Sequence, residues 1–292
     1  MIAYFILVHR FPEQFKRLFH AIYHTSNHYV VHVDKNSGRE MARDIADFLA
    51  PFQNAELIKS QRAQWGGYSL VDAQLRGMKR LLEMSDAWTH FINLSGQDFP
   101  LKSQTYISQY LTKNPDREFI QILDQRVRRP ETMSRLEYIY IEAMGRIFET
   151  GIPRPLMRHA TPYIGTQWMV VSRQFCEFVC NSPKVRRFKR FYRNTYIPDE
   201  GFFQTVMMHC SAHGQIVSDD LRMMEWVEEN WMFRPRTYGI KDAANLIASE
   251  ALFARKFDLT EDAAIFDVLE RHIGSEVFPG DSKYPAKTYG MA

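Results

Sequence analysis

The first hundred residues alternate between short apolar runs and longer amphipathic segments, and no other sequence feature constrains the fold as strongly. Short runs rich in apolar residues, at 3–8, 29–33, 56–58 and 89–94, have the length of buried β-strands. Between them, hydrophobic residues recur every three or four positions, which is typical of helices that pack one face against a sheet. The order β-α-β-α-β-α-β predicts an α/β fold with a central, mostly parallel sheet flanked by helices.

Polar residues follow three of these predicted strands. Asp34 directly follows the second run, the loop from Arg62 to Gly67 follows the third, and Asp98 follows the fourth. In open parallel sheets, ligands bind beyond the carboxyl ends of the strands. We therefore expect these three places to lie along one binding edge.

The length of 292 residues favours one elaborated domain over two. Within it, we distinguish a first half, residues 1–105, from a second half, residues 106–265. Residues 266–292 form a C-terminal extension in this division, and the irregular stretch 124–163 is interpreted as long loops with short elements.

Charge and composition narrow the function. A net charge of +3 is too small to predict nucleic-acid binding, and the chain has no phosphate-binding P-loop. Its three cysteines have no metal-ligand spacing, and no apolar run approaches the ~20 residues that span a bilayer. We therefore expect a cytoplasmic protein. The basic stretch 184–193 is a candidate for peripheral contact with the inner face of a membrane, although a solvated helix face is the simpler interpretation.

Candidate catalytic and binding residues, taken one at a time, give less specific evidence of function. The chain lacks the Asp-x-Asp pair with which many nucleotide-sugar transferases hold a metal ion on the diphosphate. Arg255 and Lys256, framed by apolar residues, are candidates to neutralise that charge instead, or they are an ordinary surface pair. Glu200 in Pro198-Asp199-Glu200 is a candidate general base, or a carboxylate that stabilises a helix N-terminus.

Five short motifs, read together, carry a family resemblance. They are His32-Val33-Asp34-Lys35, Trp65-Gly66-Gly67-Tyr68-Ser69-Leu70, Asn93-Leu94-Ser95-Gly96-Gln97-Asp98-Phe99-Pro100-Leu101-Lys102, Pro198-Asp199-Glu200 and Leu252-Phe253-Ala254-Arg255-Lys256-Phe257. In this order they resemble the core-2/I-branching β-1,6-N-acetylglucosaminyltransferases and the peptide O-xylosyltransferases, over residues 3 to about 260. The resemblance implies a GT-A-type fold, a UDP-sugar donor, inversion at the anomeric carbon and no metal or other cofactor. It also implies that residues 1–105 form a nucleotide-binding half and residues 106–265 an acceptor-binding and catalytic half.

The resemblance also implies roles for individual residues. Glu200 matches the catalytic base, and Arg255 and Lys256 match the pair that contacts the diphosphate. Either Arg234 or Arg236 matches a further cation on the phosphate side, and the spacing leaves the choice open. The expected nucleotide and donor-sugar residues are Asp34, Arg62 and Asp98, and the expected acceptor aromatics are Trp226 and Trp168.

Some expectations stay open at this point. Golgi members of the family carry a membrane anchor and a disulfide framework; this sequence shows neither, so we expect a bacterial-type member that acts in polysaccharide biosynthesis. UDP-N-acetylglucosamine and UDP-xylose are both candidate donors, and the acceptor is a glycan or glycolipid. The alternative function is a non-catalytic carbohydrate-binding protein on the same fold.

Overall fold

A seven-stranded sheet between two layers of helices organises the chain, as seen in a computed structural model that describes residues 1–209, 213–229 and 232–275. The strands are β1 (Ile2–Val8), β2 (His28–Val33), β3 (Ala55–Leu57), β4 (His90–Ser95), β5 (Asp98–Pro100), β6 (Arg117–Ile120), β7 (Leu123–Asp124), β8 (Tyr138–Ala143), β9 (Arg146–Pro153), β10 (Tyr163–Ile164), β11 (Met169–Ser172), β12 (Gln215–Val217), β13 (Arg222–Met224), β14 (Trp226–Glu229), β15 (Met232–Pro235) and β16 (Phe253–Arg255). The helices are α1 (Pro12–Ile22), α2 (Arg39–Leu49), α3 (Tyr68–Met84), α4 (Gln104–Thr112), α5 (Gln125–Arg128), α6 (Ser134–Glu137), α7 (Arg173–Asn181), α8 (Arg186–Tyr192), α9 (Phe202–Met208), α10 (Ala243–Ala248) and α11 (Ala264–Ser275).

The central sheet has the order β12-β6-β11-β4-β1-β2-β3. Only β11 runs antiparallel to its neighbours; the other six strands are parallel. The predicted α/β class, with a mostly parallel sheet flanked by helices, is confirmed. Because β1, β2 and β4 are adjacent and parallel, their carboxyl ends lie side by side, which is the edge where the sequence predicted ligand binding.

Alternate side chains of β1 enter two separate cores. Tyr4 and Ile6 pack with α1, α2 and α11 on one side of the sheet, whereas Ala3 and Phe5 pack with α3 and α7 on the other. Helix α3 approaches closely because it has Gly77 at the contact, where a Cβ atom would lie 2.2 Å from the Phe5 ring. The two cores hold the binding edge rigidly between them.

The stretch 124–163 is more ordered than its sequence suggests. The β8–β9 hairpin lies within it, and one of its two strands has eight residues. The expectation of long loops is wrong here because this hairpin stands outside the central sheet. Its strands therefore lack the continuous apolar runs that mark buried parallel strands.

The domain division proposed from the sequence stays a prediction, and residues 276–292 of its C-terminal extension lie outside the described residues. Among the described residues, no helix is both long enough and apolar enough to cross a membrane.

Candidate active site

Asp34 holds the loop that carries Arg62 against the end of β2. The Asp34 carboxylate accepts hydrogen bonds from the backbone N–H of Asn36 at 3.0 Å and of Ala63 at 3.3 Å. Asp34 is buried, and the Arg62 side chain is exposed beside it. The structure therefore brings these two predicted nucleotide residues together.

Two glycines in the following turn permit close approaches that a side chain would block. Gly66 has φ +78°, and a Cβ there would lie 2.8 Å from the Tyr196 ring. A Cβ on Gly67 would lie 2.4 Å from the Glu142 carboxylate, which accepts a hydrogen bond from the Ser69 N–H. The Gly66 carbonyl in turn accepts a hydrogen bond from the Ile197 N–H at 2.9 Å. The turn is thereby joined to the segment that leads into Glu200.

Glu200 ends a 3₁₀ turn, Pro198–Glu200, that begins after Ile197 in a left-handed conformation. Its side chain is 29% exposed, and Arg135 Nη1 donates to Oε2 at 2.8 Å. Its backbone carbonyl accepts from the Gly165 N–H at 2.8 Å. The carboxylate is thus held by an ion pair and by the backbone while a part of it stays open to solvent.

Asp199, next to the predicted base, is the most perturbed carboxyl group of this region. It is 7% exposed, and its Oδ1 has no hydrogen-bond partner among the described residues. Burial, and secondly the charge of Glu200, raise the pKa of Asp199 to about 7. Sequence reasoning assigned it no role because nothing in the local pattern distinguishes a buried carboxylate from an exposed one.

Asp98 lies at the centre of a buried cluster of charges. Strand β16 pairs antiparallel with β5 and places Arg255 opposite Asp98, so that Arg255 Nη1 reaches Asp98 Oδ1 at 2.8 Å and also bonds the Ser95 hydroxyl. Arg222, which sequence reasoning missed, has a fully buried side chain, and its Nε lies 4.0 Å from Asp98 Oδ2. Asp98 thus faces two guanidinium groups, and a second buried carboxylate, Asp220, lies beside Arg222.

Trp168 packs between the same two cations. The Arg255 and Arg222 guanidinium carbons lie 4.7 Å and 4.8 Å from the centroid of its ring, within the range of cation–π attraction. The ring is only 5% exposed, whereas Trp226 on β14 is 45% exposed. The acceptor role of both tryptophans stays a prediction, and the structure places Trp168 against the cationic cluster.

The remaining predicted cations lie on the strand and loop that approach Lys256. Arg234 belongs to β15, and the backbone carbonyl of Arg236 accepts from the Lys256 N–H at 3.3 Å. The Arg236 guanidinium forms ion pairs with Glu225 at 2.8 Å and Asp242 at 2.9 Å, and these contacts raise its pKa. The choice between Arg234 and Arg236 as a phosphate contact stays open.

His9, at the end of β1, lies between Asp34 and Arg255. Partial desolvation, followed by the charges of Arg10 and Arg255, lowers the pKa of His9 to about 4, and the Asp34 carboxylate opposes this shift. His9 is exposed to solvent, and two of the three charged groups that act on its ring, Arg10 and Arg255, are positive. That environment suits an anionic ligand.

Hydrogen bonds, ion pairs, cation–π contacts, electrostatic interactions and short chain segments link these groups along the carboxyl edge of the sheet, and we call the set the site ring. Its members, in order, are Glu200, Gly66, Asp34, His9, Arg255, Asp98, Arg222, Trp168 and Gly165. Of the predicted site residues, the site ring contains Glu200, Asp34, Asp98, Arg255 and Trp168. Arg62 precedes Ala63, which donates to Asp34, and Lys256 follows Arg255. Trp226, Arg234 and Arg236 lie on the flanking strands and loop.

Comparison with known proteins gives a consistent family match. The sequence model of the Core-2/I-Branching enzyme family matches residues 2–247. Human Xylosyltransferase 2 is 30% identical over 316 aligned residues that cover 100% of this chain and 36% of that protein. Rat Xylosyltransferase 1 is 29% identical, with 99% of this chain and 36% of that protein covered. The chain thus spans about a third of the length of these relatives.

Among solved structures, mouse Xyloside xylosyltransferase 1 in its apo form is similar over 87% of this chain and 97% of that one, with a TM-score of 0.37 and 11% identity. A likeness this weak establishes no shared function.

Proposed function

Because the chain belongs to the Core-2/I-Branching enzyme family, we propose that it is a glycosyltransferase that moves a sugar from a UDP-sugar to a hydroxyl group of a glycan or glycolipid. The curated relatives are named xylosyltransferases, which makes UDP-xylose the first donor to test and UDP-N-acetylglucosamine the second. A bacterial-type, cytoplasmic enzyme of polysaccharide biosynthesis is part of the same proposal.

Glu200 is the general base of the proposed reaction. The acceptor hydroxyl attacks the anomeric carbon while the bond from that carbon to the UDP oxygen breaks, and UDP leaves with the electron pair. Glu200 takes the proton of the attacking hydroxyl. Arg135 bonds Oε2 at 2.8 Å, which orients the carboxylate and leaves Oε1 to meet the acceptor. Attack opposite the leaving group inverts the anomeric carbon.

The cations of the site ring support the other half of the reaction. Negative charge develops on the departing diphosphate, and preorganised positive groups stabilise it without reorganisation. We assign Arg255 and Lys256 to this role, with the buried Arg222 behind them adding positive potential. No metal ion enters the proposed mechanism, since these side chains supply the charge that a metal would otherwise provide.

The observation that carries the proposal is the site ring itself, in which a partly exposed carboxylate and a cationic cluster share one sheet edge. The test is a UDP-release assay over a panel of UDP-sugars, with wild type, Glu200→Gln and Glu40→Gln compared. Glu200→Gln should lose about 10²–10⁴-fold in turnover and retain UDP affinity by calorimetry. Glu40, exposed on α2, is the matched control and should behave as wild type.

Two results would refute the assignment in different ways. Wild-type turnover by Glu200→Gln would remove this residue from the mechanism. Glycan binding without UDP binding or UDP release on any donor would favour the non-catalytic carbohydrate-binding alternative.

A further inference from the structure

The β8–β9 hairpin presents hydrophobic side chains that are 44% to 91% exposed in the described part of the chain. Ten large hydrophobic residues are strongly exposed among the described residues, and four of them, Ile141, Met144, Phe148 and Ile152, belong to this hairpin. Ile141 lies directly opposite Phe148 in the antiparallel register, so both side chains project from the same face. We call Ile141, Met144 and Phe148 the apolar hairpin face.

The opposite face of the hairpin is anchored to the protein. Tyr140 is buried and stacks on Tyr196 with ring centroids 5.3 Å apart. Glu142, two residues further on, accepts the Ser69 N–H at 3.0 Å. Since successive side chains of a strand alternate between faces, this anchoring directs Ile141 and its partner Phe148 away from the body of the protein.

The tip of the hairpin has a residue that the turn does not favour. Met144 and Gly145 both have positive φ, 53° and 74°, and such two-residue turns prefer Asn, Asp or Gly at both positions. Met144 is nevertheless 91% exposed. Neither local geometry nor packing within the described residues accounts for a large apolar side chain here, and a group of exposed apolar side chains of this kind is typical of an interaction surface.

The surroundings of the hairpin are basic. Residues 125–160 contain seven arginines and four glutamates. Arg146, beside the tip, is exposed and has no ion pair within the described residues, whereas Glu149 lies opposite Tyr140 on the anchored face. Helix α8 adds exposed Arg190 and is followed by Asn194, whose backbone carbonyl accepts the Tyr140 N–H at 3.0 Å.

We propose that the apolar hairpin face inserts into the headgroup region of an anionic phospholipid bilayer, with Arg146 and the exposed arginines of α8 contacting lipid phosphates. An anionic bilayer binds a few apolar side chains flanked by cations, because insertion buries apolar area and each nearby cation is attracted to the negative leaflet. The proposed membrane-binding surface includes part of the basic stretch 184–193. The apolar hairpin face adds a hydrophobic contribution that a purely electrostatic contact lacks.

Docking at this face also has a consequence for the site ring. Tyr196, on which Tyr140 stacks, is four residues before Glu200, and Arg135, just before β8, is the ion-pair partner of Glu200. A docked hairpin therefore holds the Glu200 side of the ring near the lipid headgroups. If the proposed function holds, this position suits an acceptor saccharide carried on a lipid.

The test is sedimentation of the full chain with vesicles, without any sugar donor. Vesicles of equimolar phosphatidylglycerol and phosphatidylcholine are compared with vesicles of phosphatidylcholine alone, for wild type, the double variant Met144→Asp with Phe148→Asp, and Ile240→Asp. Ile240 is the matched control, since it is 47% exposed on a different element. Thermal unfolding of each variant checks that it is folded.

Wild type and Ile240→Asp should bind the anionic vesicles, and the double variant should bind at least about tenfold more weakly. Arg146→Gln should weaken binding to the anionic vesicles about fivefold. Added salt should weaken the binding of the wild-type protein, because it screens the attraction between the cations and the lipid phosphates. Glu200→Gln should bind vesicles as wild type does, so the result does not depend on catalysis.

Absence of wild-type binding to anionic vesicles, or full binding by the folded double variant, overturns the proposal. A wild-type dimer in sedimentation equilibrium that dissociates in the double variant, with no vesicle binding, would assign the face to a second copy of the chain and overturn it as well.

Discussion

Asp199 carries a buried carboxyl group whose pKa is raised from 3.8 to about 7, and its replacement by asparagine should change how stability depends on pH. The folded protein holds this proton up to about pH 7, whereas the unfolded chain releases it near pH 4. Between these values the wild-type protein loses free energy of unfolding as pH rises, because the unfolded state binds fewer protons. Below both pKa values the full stability is present, and above pH 7 the loss is complete.

The magnitude follows from the shift. One pKa unit corresponds to about 1.36 kcal/mol, so a shift of about three units costs about 4 kcal/mol across the whole window. Over the experimentally convenient range from pH 5 to pH 8, the loss is about 2–3 kcal/mol. An asparagine side chain does not titrate, so this component disappears in Asp199→Asn. The variant should gain about 2–3 kcal/mol relative to wild type between pH 5 and pH 8.

Urea unfolding at several pH values between 5 and 8 measures this difference, and other titrating groups cancel because they are common to both proteins. Asp86→Asn, at an exposed carboxylate, is the control and should run parallel to wild type. If the Asp199→Asn and wild-type curves are parallel within about 0.5 kcal/mol, the carboxyl group is not held neutral by burial and the reasoning about Asp199 is wrong.

Four further perturbations follow from the same structure. Asp98→Ala leaves Arg255 and the buried Arg222 without their shared carboxylate and should cost about 3–5 kcal/mol in urea unfolding; a loss below about 1 kcal/mol would contradict the buried pairing. Gly77→Ala should cost about 1–3 kcal/mol because its Cβ meets the Phe5 ring, and an added Phe5→Leu substitution should reduce that cost, which a double-mutant cycle measures. Lys256→Ala should weaken UDP binding about tenfold or more by calorimetry, while prolonged EDTA dialysis should leave wild-type turnover within about twofold; loss of turnover that is restored by a divalent cation would refute the metal-free mechanism.

The sequence determined the elements whose signals are local. A buried strand such as β1 is a continuous apolar run, and helices such as α1 and α3 show a one-sided hydrophobic period, so each can be recognised from neighbouring residues alone. Parallel order then follows from the alternation of the two, because each intervening helix returns the chain to the same end of the sheet. The placing of Asp34 and Asp98 at one edge needed no more than this.

Ordered motifs carried the family prediction, which the family match confirms, but the roles of single residues such as Glu200 remain predictions. The motif glycines are required by close contacts, but the sequence alone does not show which residues make those contacts. Only the structure shows that Gly66 approaches Tyr196 and Gly67 approaches Glu142, residues that are distant in sequence.

Long-range pairing was decided by the tertiary structure alone. Arg135 meets Glu200 across 65 residues, and Arg255 meets Asp98 across 157, so no local pattern contains either contact. The same holds for the environment that raises the pKa of Asp199 and for the hairpin that exposes Met144. Burial and ion pairing depend on which distant segments pack together, whereas hydrophobic periodicity reports only which face of a segment is buried. That physical difference separates what this sequence predicts from what its fold adds.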